Sequence, residues 1–244
     1  MKNKILTITV TAAVLCFGQN ASAITIDGAF GLGEWAGNYS SEDGVASGGY
    51  VGPGYGGQPF DVEYLGLRIT NGTVYFGLQT GFNLKDGVVY SGVLYKPGDF
   101  AIDVNSDGAY DYAIDFAISS GAPVYSLYSV SAWQNSMYSQ HSVADPYQYK
   151  TGTLIPAAFS GAYGSGVFAN NINGGNSYVL EGSFGLSALE AYSSGPVTLH
   201  WTMSCGNDYL NVSTTPVPEP STLLLACSGL TGFALWSARR RKKD

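Results

Sequence analysis

The side chains best suited to chemistry lie in one stretch, F-A-I-D-V-N-S-D-G-A-Y-D-Y-A-I-D-F, which is residues 100–116. Oxygen-bearing side chains occupy every second position from Asp103 through Asn105 to Asp107, and Asp111 follows. Carboxylate and amide oxygens at this spacing form the first half of a twelve-residue loop that binds calcium. The pattern therefore suggests a calcium ion held by these four side chains.

The second half of the stretch departs from that loop. Position twelve should carry a bidentate glutamate, but Ile114 occupies it. A complete calcium loop of this kind is therefore excluded. Any calcium ion would depend on the four side chains of the first half and on the strands that present them.

Two strands of a hairpin must position these side chains. The apolar alternation predicts a three-residue loop, 106–108, with Gly108 in the left-handed conformation. The strand pairs that follow from this register are Val104 with Tyr110, Ile102 with Tyr112, and Phe100 with Ile114.

The same register brings acidic side chains together on the other face. It sets Asp103 opposite Asp111 and places Asp99 near Asp115. Directly opposed like charges destabilise a sheet, and a bound calcium ion would relieve the repulsion. If the aspartates lie in water, screening makes the repulsion small and an acidic turn needs no metal. Both interpretations stay open from the sequence.

Catalytic groups are sparse. A serine or cysteine nucleophile needs a neighbouring base, and the two histidines are His141 and His200. His200 and Cys205 are an odd number of residues apart, so one unbroken strand would point them to opposite faces. No spacing singles out a carboxylate pair for glycoside hydrolysis from the four candidates Asp61, Glu63, Glu181 and Glu190. We expect no enzymatic activity.

A second hairpin is predicted at residues 60–80. Asn71 and Gly72 form the favoured two-residue turn, and apolar residues alternate on both sides of it. The register gives one apolar face, which must cover a core. The predicted pairs are Ile69 with Val74, Leu67 with Phe76, Leu65 with Leu78, Arg68 with Tyr75, and Tyr64 with Gln79.

Short strand patterns separated by Gly, Pro, Asn and Asp continue along the chain. They predict strands near 88–95, 98–104, 109–118, 123–130, 178–185, 197–203 and 209–212. One short helix is predicted around residues 186–192. The fold class is therefore all-β, an antiparallel β-sandwich or jelly roll with one short helix.

Residues 131–177 show the weakest pattern and contain scattered aromatic residues. Long loops on a sandwich often carry its binding surface. These aromatics therefore suggest a carbohydrate-binding module as an alternative function, with a glycan hydrolase as a further, enzymatic alternative. The aromatic and imidazole side chains concerned are Trp133, Tyr138, His141, Tyr147, Tyr149, Phe159, Tyr163 and Phe168.

The charge balance excludes one class of partner. Residues 24–216 contain sixteen acidic residues, and their basic residues are Arg68, Lys85, Lys96 and Lys150. No basic patch is available to neutralise phosphates, so nucleic-acid binding is not expected. Cys205 is the one cysteine of this part of the chain, which excludes an internal disulfide there.

The N-terminus has the pattern of a secretory signal peptide. Lys2 and Lys4 precede an apolar run, and Ala21, Ser22 and Ala23 follow it. A basic start, a short apolar segment and an A-x-A site predict a signal helix over residues 1–23 that the secretion machinery recognises and that is removed after Ala23.

The C-terminus predicts a membrane-spanning tail. Val217, Pro218, Glu219 and Pro220 precede an uncharged apolar stretch, residues 221–238, and the basic residues 239–243 follow. About 18 helical residues just span the hydrocarbon core of a bilayer. Arg239, Arg240 and Arg241, with the two lysines after them, would stay cytoplasmic and leave the body outside the inner membrane.

This ordered tail resembles the PEP-CTERM sorting signal of Gram-negative bacteria. The resemblance covers about a tenth of the chain, and tails of this type are also labelled ice-binding protein C-terminal-like, although the body has no regular Thr-x-Thr array. It implies processing by a membrane enzyme of the exosortase type and an association with exopolysaccharide and biofilm. The expected location is the inner membrane transiently, and then the cell surface or extracellular matrix.

The body resembles carbohydrate-binding and DOMON-like sandwiches at two places. These are Ile26 to Gly28 with Glu34 and Trp35, and residues 179–182. Residues 201–208, W-T-M-S-C-G-N-D, are similar to a segment near the end of other PEP-CTERM proteins. The predicted organisation is a signal peptide (1–23), a sandwich domain (24–212), a linker (213–220), a transmembrane helix (221–238) and a basic tail (239–244). We expect a non-enzymatic exported protein with polysaccharide as a candidate partner.

Overall fold

A computed structural model describes residues 23–42, 56–141, 143–171, 174–216 and 228–232. These residues form thirteen strands, and all their pairings are antiparallel. The strands are β1 (Tyr39–Ser41), β2 (Val62–Thr70), β3 (Thr73–Thr80), β4 (Val88–Tyr90), β5 (Val93–Tyr95), β6 (Phe100–Asp103), β7 (Tyr112–Ser119), β8 (Ala122–Gln134), β9 (Gln148–Ile155), β10 (Ser160–Gly166), β11 (Ser177–Gly185), β12 (Val197–Thr202) and β13 (Tyr209–Thr214).

The strands form two large sheets and a separate hairpin. The first sheet has the order β1-β2-β3-β11-β10, and the second has the order β13-β12-β6-β7-β8-β9. Strands β4 and β5 pair only with each other. The prediction of an antiparallel, mostly β fold is therefore confirmed.

One hydrophobic core lies between the two large sheets. Phe76 of the first sheet meets Phe100 of the second, with ring centroids 5.1 Å apart. Leu67 and Leu199 are fully buried in the same cluster. The sheets thus pack face to face as a sandwich, because each has one apolar face to remove from water.

Polar contacts close the sandwich at both edges. At one edge, the Thr214 hydroxyl of β13 donates to Asn38 Oδ1 at 2.9 Å, just before β1. At the other edge, the Tyr125 hydroxyl of β8 donates to the Glu181 carbonyl of β11 at 2.7 Å. Each bond joins one sheet to the other, so the two edges are held as well as the core.

The N-terminal segment covers the outer face of the first sheet. Trp35 lies fully buried over Gly66 and Gly77, where a Cβ would come within 2.5 Å of the indole ring. Phe30 stacks on Trp35 with centroids 4.9 Å apart. Glycines at these two facing strand positions therefore make room for the tryptophan that fastens the segment.

The hairpin predicted at residues 60–80 is confirmed. Strands β2 and β3 pair in the expected register, from Ile69 with Val74 to Tyr64 with Gln79. Asn71 and Gly72 both have positive φ, 52° and 68°, as the two-residue turn requires.

The second predicted hairpin is confirmed in its strands and wrong in its loop. Phe100 pairs with Ile114, and Ile102 pairs with Tyr112. The ladder between β6 and β7 contains no pair beyond Ile102 and Tyr112, so the predicted pairs at Val104 and Asp103 are not formed. Gly108 has the expected left-handed φ, 85°. The loop is longer because its aspartates bond backbone amides, as described below.

Two strands arise where the sequence predicted irregular structure. Strands β9 and β10 lie in the weakly patterned region and are the outermost strands at one side of the two sheets. The helix predicted around 186–192 is a single 3₁₀ turn, Leu186–Ala188. Short 3₁₀ turns also occur at Gln58–Phe60 and Ser139–His141.

The signal helix (1–23) lies outside the described residues apart from the exposed Ala23. Of the predicted transmembrane segment, the structure describes a helical piece at 228–232. In the part of the chain that is described, no helix has the length and apolar character needed to cross a bilayer. The predicted spanning helix over 221–238 therefore stays a prediction.

Candidate functional site

The acidic loop between β6 and β7 is organised around Asp103. Its Oδ1 accepts hydrogen bonds from the backbone N–H groups of Asn105 (3.1 Å) and Ser106 (2.7 Å). Its Oδ2 accepts a third from the N–H of Gly108 at 3.0 Å. A buried carboxylate that accepts three backbone N–H groups holds the loop in one conformation without another ligand.

The other three predicted calcium ligands are engaged in the same way. Asn105 Oδ1 accepts from the Asp107 N–H at 2.9 Å, and Asp107 Oδ1 accepts from the Ala109 N–H at 2.8 Å. Asp111 Oδ2 accepts from the Val104 N–H at 3.0 Å. The described parts of the chain contain no cluster of three His, Cys, Asp or Glu side chains that could hold a metal. Calcium at this loop stays a prediction.

Asp99 and Asp115 form a carboxyl pair on the outer face of the second sheet. Their side chains share a hydrogen bond, as the sequence register implied, and Asp99 Oδ2 also accepts from the Tyr149 N–H at 2.8 Å. Burial of Asp99, with the Asp115 charge beside it, raises its pKa to about 8. Asp99 is buried and bonded to the Tyr149 backbone, so the protein itself engages this pair.

Most aromatics of residues 131–168 pack against the protein itself. Trp133 donates its indole N–H to the Tyr110 carbonyl at 2.9 Å. Tyr149 stacks on Tyr128 with centroids 4.3 Å apart, and Tyr147 is buried. Three more pack against the two hydrophobic clusters, namely Phe159, Tyr163 and Phe168. Each of these side chains is buried or half-buried rather than exposed.

Tyr138 and His141 differ, because they line a pocket of about 360 Å³. The Tyr138 hydroxyl lies 2.9 Å from the Tyr95 hydroxyl. Tyr90, whose side chain is 63% exposed, meets Phe60 edge-on with centroids 6.2 Å apart. The lining residues are Gly56, Phe60, Tyr90, Tyr95, Tyr138, His141, Val143, Cys205 and Asn207.

The polar side of this pocket contains a thiol. The Cys205 thiol donates to Asn207 Oδ1 at 2.8 Å. Burial raises the pKa of Cys205 to about 11, so the group stays a neutral thiol near pH 7. A thiol in this state is a poor nucleophile.

His200 lies elsewhere, on the outer face of the second sheet. Its ring nitrogens lie 2.7 Å from Asn211 Oδ1 and 3.2 Å from the Pro146 carbonyl. The ring stacks on Tyr110 with centroids 5.3 Å apart, and burial lowers its pKa. His200 is therefore a buried, hydrogen-bonded side chain rather than a base beside Cys205.

Residues 201–208 connect distant parts of the fold. Trp201 donates its indole N–H to the Gly98 carbonyl at 2.9 Å. Ser204 and Lys96 exchange two hydrogen bonds, each 2.9 Å long. Asp208 Oδ2 accepts from the Val62 N–H at 2.7 Å. No role for this segment could be predicted from the sequence, because its partners are 103 to 146 residues away along the chain.

The two places where the body resembles carbohydrate-binding and DOMON-like sandwiches meet in space. Glu181 Oε2 accepts from the N–H groups of Asp27 (3.1 Å) and Gly28 (2.9 Å). The Cβ that Gly28 lacks would lie 2.9 Å from the Tyr163 carbonyl carbon, so the backbones are in close contact. This arrangement fixes the N-terminal segment on strand β11.

The similarity of this chain to known proteins lies in its C-terminal tail. The sorting residues Val217, Pro218, Glu219, Pro220, Arg239, Arg240 and Arg241, and Ala21 of the cleavage site, lie outside the described residues. No curated protein and no solved structure matches the chain. Residues 216–242 match the family model of the PEP-CTERM protein-sorting motif. The chain thus carries a PEP-CTERM sorting motif, which implies an exported protein whose C-terminal tail associates with the membrane and is processed by an exosortase.

Proposed function

We propose that this chain is a non-enzymatic surface protein, delivered by its tail to the cell surface or to the exopolysaccharide matrix. The observation that carries the proposal is the sorting motif at residues 216–242. The body then acts as the delivered module, outside the inner membrane, and polysaccharide is its candidate partner.

The chemistry of the body supports a role without catalysis. Cys205 has a raised pKa, His200 is buried against Tyr110, and Asp99 is hydrogen-bonded to Asp115. Each of these groups is already engaged by the protein. Residues 24–216 contain sixteen acidic and four basic residues, and this excess of negative charge keeps such a module soluble.

Fractionation of the producing cells tests the delivery step. The triple variant with Arg239, Arg240 and Arg241 replaced by serine should lose correct processing, because these charges oppose translocation of the tail. A control that replaces Lys85, Lys96 and Lys150 in the body removes the same charge and should fractionate like the wild type. Unchanged fractionation of the tail variant would contradict the proposal.

A second candidate function is glycan binding, and the aromatic pocket favours it. Its volume of about 360 Å³ and its tyrosine lining suit a sugar ring, whose apolar C–H face packs on aromatic rings and whose hydroxyl groups form hydrogen bonds with tyrosine hydroxyls. The site differs from the one predicted from residues 131–168, because three of its four Phe and Tyr side chains come from outside that region, namely Phe60, Tyr90 and Tyr95.

Calorimetric titration with oligosaccharides from the producing cells' own polysaccharide tests this candidate. Tyr90→Ala should weaken binding by about tenfold, as expected for an aromatic anchor of a binding site. Leu94→Ala is the matched control, because Leu94 is exposed on the same hairpin and does not line the pocket. Equal affinity of both variants would place any glycan site elsewhere.

A further inference from the structure

A second cavity, of about 410 Å³, lies beside the aromatic pocket. The two cavities share a wall, because neighbouring residues of two segments line them. In the 3₁₀ turn, Pro59 lines the second cavity and Phe60 lines the aromatic pocket. In strand β4, Val89 lines the second cavity and Tyr90 lines the aromatic pocket. Consecutive Cα atoms are about 3.8 Å apart, so this shared wall is thin.

The structure holds the shared wall in place from both sides. Gln58, the first residue of the 3₁₀ turn, donates from Nε2 to Glu63 Oε1 at 2.7 Å, and the Glu63 carboxylate is fully buried. The Ser177 hydroxyl donates to the same oxygen at 2.8 Å. Phe60 meets Tyr95 of β5 edge-on, with centroids 5.5 Å apart, which ties the hairpin to the turn. A wall that is already fixed lowers the entropic cost of binding a ligand.

The top of the shared wall is an exposed apolar surface. Val89 is 69% exposed, and Pro59 is exposed beside the two cavities. A chain that passes from one cavity to the other would cover Val89 and Pro59 and remove their apolar surface from water. The wall can therefore serve as a saddle between two binding positions.

The lining of the second cavity suits a neutral ligand rich in hydroxyl groups. None of the nine described residues that line it carries a charge. Asn176 brings an amide, which can both donate and accept hydrogen bonds, and Tyr178 brings an aromatic ring with a hydroxyl. The hydroxyl groups of a neutral sugar also donate and accept, so they match this lining.

We propose that the second cavity is a further subsite of the glycan site, and that the protein binds an internal stretch of a neutral polysaccharide chain. Neighbouring sugars of one chain would then lie on both sides of the shared wall. The inference rests on the glycan binding proposed above for the aromatic pocket. Contacts made by linked sugars reinforce each other, so the affinity should increase with chain length until both cavities are filled and then stay level.

Calorimetric titration with oligosaccharides of graded length tests the second subsite. The probes are size-fractionated neutral oligosaccharides, from one sugar to about eight, prepared by partial acid hydrolysis of the producing cells' own polysaccharide. The longest probes should bind the wild-type protein at least about tenfold more tightly than the shortest probes that bind. An affinity that does not depend on length would overturn the subsite.

Asn176→Trp blocks the second cavity with a large side chain. Asn176 is exposed, so the fold should tolerate the change, and an unchanged Tm checks this. The variant should bind the short probes like the wild type and lose the gain in affinity for the long ones. Val124→Trp is the matched control and should keep the gain, because Val124 is exposed on β8 and lines neither cavity. Asn176→Ala should reduce the gain severalfold without adding bulk.

Tyr90→Ala separates failure of the subsite from failure of the glycan proposal. If Tyr90→Ala weakens the binding of short probes but Asn176→Trp keeps the full gain for long ones, the second subsite is wrong and the aromatic pocket stands. If no probe binds the wild-type protein, both proposals are wrong. The second subsite is supported when Tyr90→Ala weakens all probes and Asn176→Trp weakens the long ones alone.

Discussion

The backbone N–H of Gly28 donates to Glu181 Oε2 at 2.9 Å, although the two residues are 153 positions apart. Glu181 lies on β11 and is almost fully buried beneath the N-terminal segment. The first residues after the predicted signal cleavage site are therefore part of the folded body. Removal of the predicted signal peptide would leave a short segment that docks on β11 and completes the outer face.

Replacing Glu181 by leucine should detach this segment. The change leaves the N–H groups of Asp27 and Gly28 without their acceptor, at a cost of about 1–3 kcal/mol in the free energy of unfolding. Urea denaturation measures it. Glu190→Leu is the matched control, because Glu190 is exposed, and it should change stability by less than about 0.5 kcal/mol. Equal stability of the two variants would show that the docking contact contributes nothing.

Substitution of Gly28 by alanine separates steric crowding from backbone strain. Gly28 has φ 83°, and its added Cβ would lie 2.9 Å from the Tyr163 carbonyl carbon. Gly37 has nearly the same φ, 82°, with no atom within 4 Å of the Cβ position. Both substitutions place alanine in the left-handed conformation, which lowers the free energy of unfolding by about 1 kcal/mol. Gly28→Ala should cost at least about 1 kcal/mol more in urea denaturation, and equal losses would disprove the close contact.

Stability should fall as the pH rises from 5 to 8.5. Burial raises the pKa of Asp99 to about 8, that of Asp208 to about 8 and that of Glu181 to about 7. Between the unfolded and folded pKa values, the folded protein holds protons that the unfolded chain releases. The stabilisation is therefore fully present below the unfolded pKa and is lost as the pH rises through the folded pKa.

The Asp99→Asn variant removes one of these three titrating carboxyl groups. Asparagine keeps an oxygen for the Tyr149 N–H and a donor for Asp115, and it does not titrate. A tenfold change in proton affinity is worth about 1.4 kcal/mol. The decrease in unfolding free energy between pH 5 and 8.5 should thus be smaller by about 1–3 kcal/mol than in the wild type. Asp107→Asn, on the exposed loop, should retain the wild-type decrease. A wild-type decrease in Asp99→Asn would contradict the assignment.

Cys205 should be inert in the folded protein. Its pKa is raised to about 11, and its thiol donates to Asn207. Only the thiolate reacts, so alkylation of the mature protein at pH 8 should be about 10²-fold slower than in urea. Mass spectrometry after timed iodoacetamide treatment measures both rates. Equal rates would restore Cys205 as a candidate nucleophile beside His141.

Turn preferences and the alternation of apolar residues along the chain predicted much of the fold. The register of β2 and β3 follows from the Asn71-Gly72 turn and the apolar alternation around it. The same reasoning paired β6 with β7 but failed at the loop, because it treated Asp103 and Asp111 as opposed charges. In the structure these carboxylates accept backbone N–H groups, which ends the ladder early.

Other elements depend on contacts that no local pattern reveals. Strands β9 and β10 are edge strands without a buried residue, and five of the eight residues of β9 and three of the seven of β10 are exposed, so no apolar alternation marks them. The aromatic pocket combines Phe60, Tyr95 and Tyr138 from three separate segments. The site of the buried Glu63 carboxylate likewise depends on a hydrogen bond from Ser177, 114 positions away along the chain. Neither site has a sequence spacing that could have predicted it.

The intact mass of the protein released from the producing cells tests the central claim most directly. The signal site after Ala23 and the sorting motif at residues 216–242 predict a chain that begins at Ile24 and has lost its tail near Pro218 to Pro220. That species, detected at the surface or in the matrix, is the expected result. A released protein that still contains Arg239, Arg240 and Arg241 would contradict the account, because its tail would not have been removed.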